Sequence, residues 1–249
     1  MEFSLDYVIL SMNFKLLSID YGGEYDELVF NKLFIILCKT RKLLVYTQNS
    51  QMYANQGIGL EICKQLASKG VYLVFHQLDV LDPSSISSLV DFVKSEYGKL
   101  DILVNNAGIL GLSVDTKAIE ALAIRDFVIN VWACNILNDT KPLSEERIDE
   151  ILEVFLKDLK EGCLESKKWP SFLSAYTLSK AAMNAYTRLF AEKHPNYIIN
   201  SVCPGWVKTN LSLFTGPLNV EEGARSVVRL ALLPEHSGLF FYRDEVTSF

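Results

Sequence analysis

The chain has 249 residues, 49% hydrophobic and 22% charged, with 24 Lys and Arg against 30 Asp and Glu for a formal net charge of −6. That is an ordinary globular composition with enough apolar surface to fill a sizeable core, and no Pro/Gly/Ser-rich linker divides it, so one domain is expected. The acidic balance offers no cationic face to a phosphate backbone, which removes nucleic acid from the expected partners.

Residues 1–50 show no sustained helical or strand period and are left unassigned, apart from a strand expected at 43–46. Acidic Glu2 and Asp6 stand where a secretory leader would want Lys or Arg, and the short apolar stretch 28–37 is interrupted by Asn31 and Lys32. Neither secretion nor a membrane span is expected. From Gly57 the punctuation becomes regular. Ile58, Ile62 and Leu66 recur every four residues and Gly70 follows, the pattern of a helix that packs one face and stops at glycine. A strand is expected at 71–75. Asp82-Pro83-Ser84 opens a second helix with Ile86, Leu89, Val90 and Val93 as its buried stripe. A strand at 100–104 then runs into Asn105-Asn106-Ala107-Gly108.

Further along, Ser144 caps a helix with Glu145 and Glu146 in its first turn, Ile148, Ile151, Leu152, Phe155 and Leu159 on one face, and Gly162 at its end. Residues 175–192 read as helix, His194-Pro195-Asn196 as a break, and 197–202 as a strand entering Pro204-Gly205. A last strand is expected at 238–242. Strands alternating with helices imply an α/β fold with parallel strands joined by helical crossovers, whose ligands bind beyond the carboxyl ends of the strands.

Five cysteines (Cys38, Cys63, Cys134, Cys163 and Cys203) form no C-x-x-C pair and no metal-like spacing with His76, His194 and His236, so reduced thiols and no metal are expected. Chemistry gathers elsewhere. Tyr176 and Lys180 are four residues apart near the start of a helix and share one face. A free phenol titrates near 10 and is a poor acid at neutrality unless a cation lowers that value, which Lys180 is placed to do. Asn55-Gln56-Gly57-Ile58-Gly59 leads into a helix, where free N–H groups suit a pyrophosphate. Asn105-Asn106-Ala107-Gly108 and Pro204-Gly205-Trp206-Val207-Lys208-Thr209 each follow a strand end.

Taken together, Gly57-Ile58-Gly59, His76-Gln77-Leu78-Asp79-Val80, the run from Leu100 to Gly108, Tyr176-Thr177-Leu178-Ser179-Lys180 and Cys203-Pro204-Gly205 resemble the short-chain dehydrogenase/reductases. The likeness, from about Ala54 to the C-terminus, is to their monomeric plant branch, related to carbonyl reductases. The resemblance implies a Rossmann-type doubly wound parallel sheet over 51–249 and NADP(H) as cofactor. It implies a small carbonyl or alcohol substrate, a terpenoid ketone among the candidates, and a cytoplasmic monomer. Tyr176 would be the general acid and Lys180 its activator, with Asn130 matching an active-site amide. Asn55, Gly57, Ile58, Gly59, Asp79, Asn105, Ala107, Gly108, Lys180, Pro204, Gly205 and Thr209 would line the cofactor. Leu110, Leu112, Trp206, Leu211 and Phe214 suggest an apolar substrate lining.

Three departures accompany the likeness. Tyr53 stands where the family's first glycine permits a tight turn, and Gln56 replaces a lysine. Residues 71–79 join the start of one family strand to the end of the next, without the helix and basic residue between them. No Val/Ile-rich run ending in Ser-Ser lies between Asn130 and Tyr176, so the strand bearing the catalytic serine has no counterpart and the sheet is expected to be incomplete. Two readings stay open: a carbonyl reductase, and a non-catalytic remnant that at most binds nucleotide or a partner.

Overall fold

A computed structural model describes residues 34–37, 43–46, 57–76, 82–98, 102–106, 131–138, 143–169, 174–232 and 236–247. They fall into two compact units, the first from the residues up to 106 together with 206–232, the second from 131–205 together with 236–247.

The first unit begins with strands β1 (Phe34–Leu37) and β2 (Leu43–Tyr46). Helix α1 (Gly57–Ser68) follows, then β3 (Tyr72–Phe75), which pairs with β2 in parallel, Leu43 opposite Tyr72. Ile62 and Leu66 of α1 are fully buried, as their spacing predicts. Gly70, at φ 78°, ends the helix: its N–H reaches the Ala67 carbonyl and that of Val71 the Leu66 carbonyl. Helix α2 (Pro83–Tyr97) starts where Asp82 accepts the Ser84 N–H at 2.9 Å and stops at Gly98, with Ile86, Leu89, Val90 and Val93 buried.

Strand β4 (Ile102–Asn105) pairs with β1, and it does so antiparallel, Phe34 opposite Asn105. This ladder comes from the stretch the sequence leaves unassigned, and it gives β4 a neighbour that the helical crossovers do not predict. Helix α6 (Val220–Leu232) packs on α1, with Gln65 Nε2 donating to the Glu221 carbonyl at 3.0 Å. Its start is closed reciprocally: Asn219 accepts the Glu222 N–H at 2.8 Å and Glu222 accepts the Asn219 N–H at 3.0 Å.

The second unit packs α3 (Val131–Asn138), α4 (Glu145–Lys160) and α5 (Ser174–Lys193) together. Ser144 accepts the Arg147 N–H, and the stripe Ile148, Ile151, Leu152 and Phe155 is buried. Trp169 meets Phe155 edge-on at 5.2 Å and donates its indole N–H to buried Asp158 at 2.9 Å, so that carboxylate is not left unpaired. Across the α4–α5 contact the Tyr186 hydroxyl donates to Asp149 at 3.0 Å, and Lys193 pairs with Glu145 at 2.5 Å. Arg188 ties α5 to α3 by donating to the Leu137 carbonyl.

Strand β5 (Ser201–Cys203) pairs in parallel with β6 (Phe240–Tyr242), and β6 pairs antiparallel with β7 (Glu245–Thr247) through a short turn with Arg243 in the left-handed region. The strand expected from 197 is shorter than predicted. Ser237 Oγ accepts the Ile199 N–H, and Asn200 donates to the His236 carbonyl while accepting the Leu239 N–H. Side chains therefore satisfy backbone groups that a ladder would otherwise take. Two ladders run parallel, as the fold class requires, with antiparallel strands added at β1 and β7.

Candidate active site

In the first unit the site is built around the head of α1. Gly57 opens the helix at φ 59°, a conformation that costs a side-chain-bearing residue roughly 1–2 kcal/mol. A β-carbon there would lie 3.3 Å from Thr209 Cγ2 and 3.6 Å from Thr209 Cβ, so bare backbone and the threonine methyl share one tight space. Gly59 is buried and Ile58 half-buried one step further in. The first turn of α1 carries no acidic side chain, leaving the positive end of the helix to an incoming anion.

Thr209 is held by the loop that carries it. Val207, 4% exposed, bridges to Leu218, and the Lys208 N–H reaches the Leu218 carbonyl at 2.8 Å. Gly216 passes so close that a β-carbon on it would meet the Val207 carbonyl carbon at 2.3 Å, which only glycine avoids. Leu213 (φ 46°) and Phe214 (φ 60°) then stand in the left-handed region, and Leu211, Leu213 and Phe214 are exposed. Trp206 is half-buried at the start of this loop. Asn105 ends β4 with an exposed side chain.

In the second unit Tyr176 and Lys180 lie one turn apart on α5, with Lys180 Nζ 5.4 Å from the Tyr176 ring centroid. Cys203, at the end of β5, couples electrostatically to both, and Pro204 and Gly205 (φ 85°) follow it. Burial, and secondarily the neighbouring Cys203, push the Tyr176 phenol up from 10.0 to about 12. Burial lowers Lys180, opposed by Cys203. The resemblance implies that Lys180 lowers the phenol; burial acts on the phenol in the opposite direction.

The structure thus brings Gly57 together with Thr209, and Tyr176 together with Lys180 and Cys203. Asn55, Asp79, Ala107, Gly108 and Asn130 lie outside the described residues, as do Leu110 and Leu112. The sequence reading missed Ser212, whose hydroxyl organises the Thr209 loop. The signal was present as Thr209-x-x-Ser212, a spacing that closes a turn reciprocally. Among the described residues no group of three or more His, Cys, Asp or Glu is placed to hold a metal ion, and no helix is long and apolar enough to cross a membrane.

A family model described as short chain dehydrogenase matches residues 71–141. The chain is similar to (+)-neomenthol dehydrogenase of Arabidopsis thaliana, at 40% identity over 79% of this chain and 96% of the relative. That match runs over 283 positions, more than the 249 residues present here, so the relative carries segments with no counterpart in this chain. Carbonyl reductase [NADPH] 3 of Rattus norvegicus is 33% identical over 71% of this chain and 78% of its own length. The solved structure of salutaridine reductase from Papaver somniferum superposes with a TM-score of 0.71 at 36% identity, covering 81% of this chain and 99% of that one. Sequence and architecture agree, and the chain belongs to the short-chain dehydrogenase/reductase family of oxidoreductase enzymes.

Proposed function

We propose that this chain is an NADP(H)-dependent reductase of a carbonyl on a small hydrophobic compound, a terpenoid ketone in particular, with Tyr176 as general acid and Lys180 as its partner. The observation that carries this reading is the Tyr176–Lys180 pair, 5.4 Å from ammonium to ring on one face of α5. The Gly57 cradle supports the cofactor: a β-carbon would fill the space beside Thr209, and leaving it out lets phosphate oxygens reach the N–H groups at the head of α1. Gly57, Ile58, Gly59 and Thr209 would hold the dinucleotide there. By family likeness Asn55, Asp79, Asn105, Ala107, Gly108, Pro204 and Gly205 would complete the lining. NADPH, named in the rat relative, supplies the hydride when bound.

Tyr176 gives its phenolic proton to the carbonyl oxygen. A phenol pushed up to about 12 is fully protonated at neutral pH, which is the form a general acid needs. The Lys180 ammonium faces the ring on which phenolate charge then develops, and Asn130 would relay a water to it. The relative named (+)-neomenthol dehydrogenase supports a terpenoid substrate, for which the exposed Leu211 and Phe214 would by family likeness supply apolar surface. A cytoplasmic monomer, with the family domain over 51–249 and β1 and β2 added to its sheets, completes the proposal.

A second reading, nucleotide binding without turnover, is favoured by one observation. Between α3 and α5 the described residues form α4 and turns but no strand, where the family carries its catalytic serine. One experiment separates the two: thermal unfolding with and without NADPH, followed by NADPH-dependent reduction of menthone by the wild type and Tyr176→Phe. The first reading requires an upward shift and a turnover that Tyr176→Phe abolishes. A shift without turnover selects the second, and unchanged turnover in the variant removes Tyr176 from the mechanism.

A further inference from the structure

We propose that Ser212 is a positioning residue for the dinucleotide: its hydroxyl fixes Thr209 against Gly57 and thereby sets the width of the cradle at the head of α1. This rests on the cofactor site proposed above. Ser212 is 3% exposed, in the 3-10 turn Asn210–Ser212 directly after Thr209. A serine hydroxyl has one proton to give and lone pairs to accept with. Here Oγ donates to the Val207 carbonyl at 2.7 Å and accepts the Thr209 N–H at 3.1 Å, with the Thr209 carbonyl 3.0 Å away. One side chain therefore ties Thr209 to Val207, the residue that Gly216 and Leu218 clamp from the other side.

The consequence falls on Gly57. Thr209 Cγ2 is 3.3 Å from where a Gly57 β-carbon would be, so a small swing of Thr209 opens or closes the approach to the α1 backbone. Backbone bonds hold the Thr209 carbonyl, which accepts the Phe214 N–H at 2.8 Å and the Ser212 N–H at 3.2 Å, whereas the Thr209 N–H is held by the Ser212 hydroxyl. Replacing Ser212 by alanine leaves the buried Val207 carbonyl and Thr209 N–H without this partner, and the turn must rearrange to satisfy them.

The test measures NADPH affinity and steady-state reduction of menthone in the full chain. Ser212→Ala should weaken NADPH about tenfold, the worth of one buried hydrogen bond, raising KM for NADPH while kcat and the KM for menthone stay near wild type. Ser212→Thr, which keeps the hydroxyl, should restore affinity. In a Thr209→Ala background the effect of Ser212→Ala should vanish, since the serine acts through that threonine. Wild-type NADPH affinity in Ser212→Ala, or an equal loss with and without Thr209, overturns the proposal. If Ser212→Ala does not fold, Ser212→Cys, similar in size with a weaker donor, must weaken NADPH, and wild-type affinity in it is equally fatal. A wild type indifferent to NADPH would instead sink the cofactor reading underneath.

Discussion

The methyl of Thr209 lies 3.3 Å from where a β-carbon on Gly57 would sit, a tight contact made across 152 residues of sequence that the first unit folds together. Gly57→Ala therefore meets two obstacles, a left-handed φ and a close neighbour. It should lower stability by roughly 1–3 kcal/mol and weaken NADPH binding well beyond that of the wild type. Calorimetric unfolding with and without NADPH checks both effects. A variant as stable as the wild type, with the same NADPH-induced shift, would show that the head of α1 is not where the phosphates lie.

Phe155 is fully buried on α4 and meets Trp169 edge-on at 5.2 Å. Truncation to alanine removes that ring pair and leaves a cavity in a core of Ile148, Ile151 and Leu152, at a cost of about 3–5 kcal/mol. The tryptophan reports it directly: its emission should shift to the red, and the denaturation midpoint should fall. A loss under 1 kcal/mol would mean that the second unit repacks around the gap.

The elements that could be read in advance carry their own instructions. Asp82-Pro83 and Gly98 bound α2, and Ser144 with Glu145, Glu146 and the stripe through Phe155 define α4, because caps and periodicity act within a few residues. What escaped depends on partners distant in sequence. Asn200 diverts 197–200 from strand pairing by bonding residues at 236 and 239, and β1 becomes a strand by pairing with β4. The start of α6 is a different case, since Asn219-x-x-Glu222 was a legible capping box. In the site, the closeness of Lys180 to the Tyr176 ring could be read from their spacing, whereas their burial could not, because burial is not set by four residues.

Leu213 holds φ 46° with 37% of its surface exposed, so only part of a leucine's burial offsets an unfavourable backbone. Leu213→Gly relieves the conformation and should raise stability by up to about 1 kcal/mol, net of glycine's greater unfolded-state entropy. Leu213→Ala keeps the β-carbon and should give no gain. Chemical denaturation of the two variants side by side decides it, and a glycine variant no more stable than the alanine one would show that the loop carries no strain at this position.

Alkaline pH tests the burial of two groups at once. Burial raises Cys63 from 9.0 to about 11 and, with Cys203 secondary, Tyr176 from 10.0 to about 12. Both groups are held neutral in the folded chain and ionise first in the unfolded one. The stability they contribute is complete below the unfolded values and is lost as pH rises, through 9–11 for the thiol and 10–12 for the phenol. Wild-type stability should therefore decline from pH 9 onward. Tyr176→Phe should lessen only the upper part of that decline, to which Tyr186, raised by burial and by Asp149, also contributes, and Cys63→Ala only the lower part. Carbonyl reduction should keep its proton donor up to pH 10 and beyond, since the phenol that gives the proton is still intact there. A rate that falls away near pH 9 in the Cys63→Ala background, where the protein remains folded, would mean that the proton comes from a group other than Tyr176.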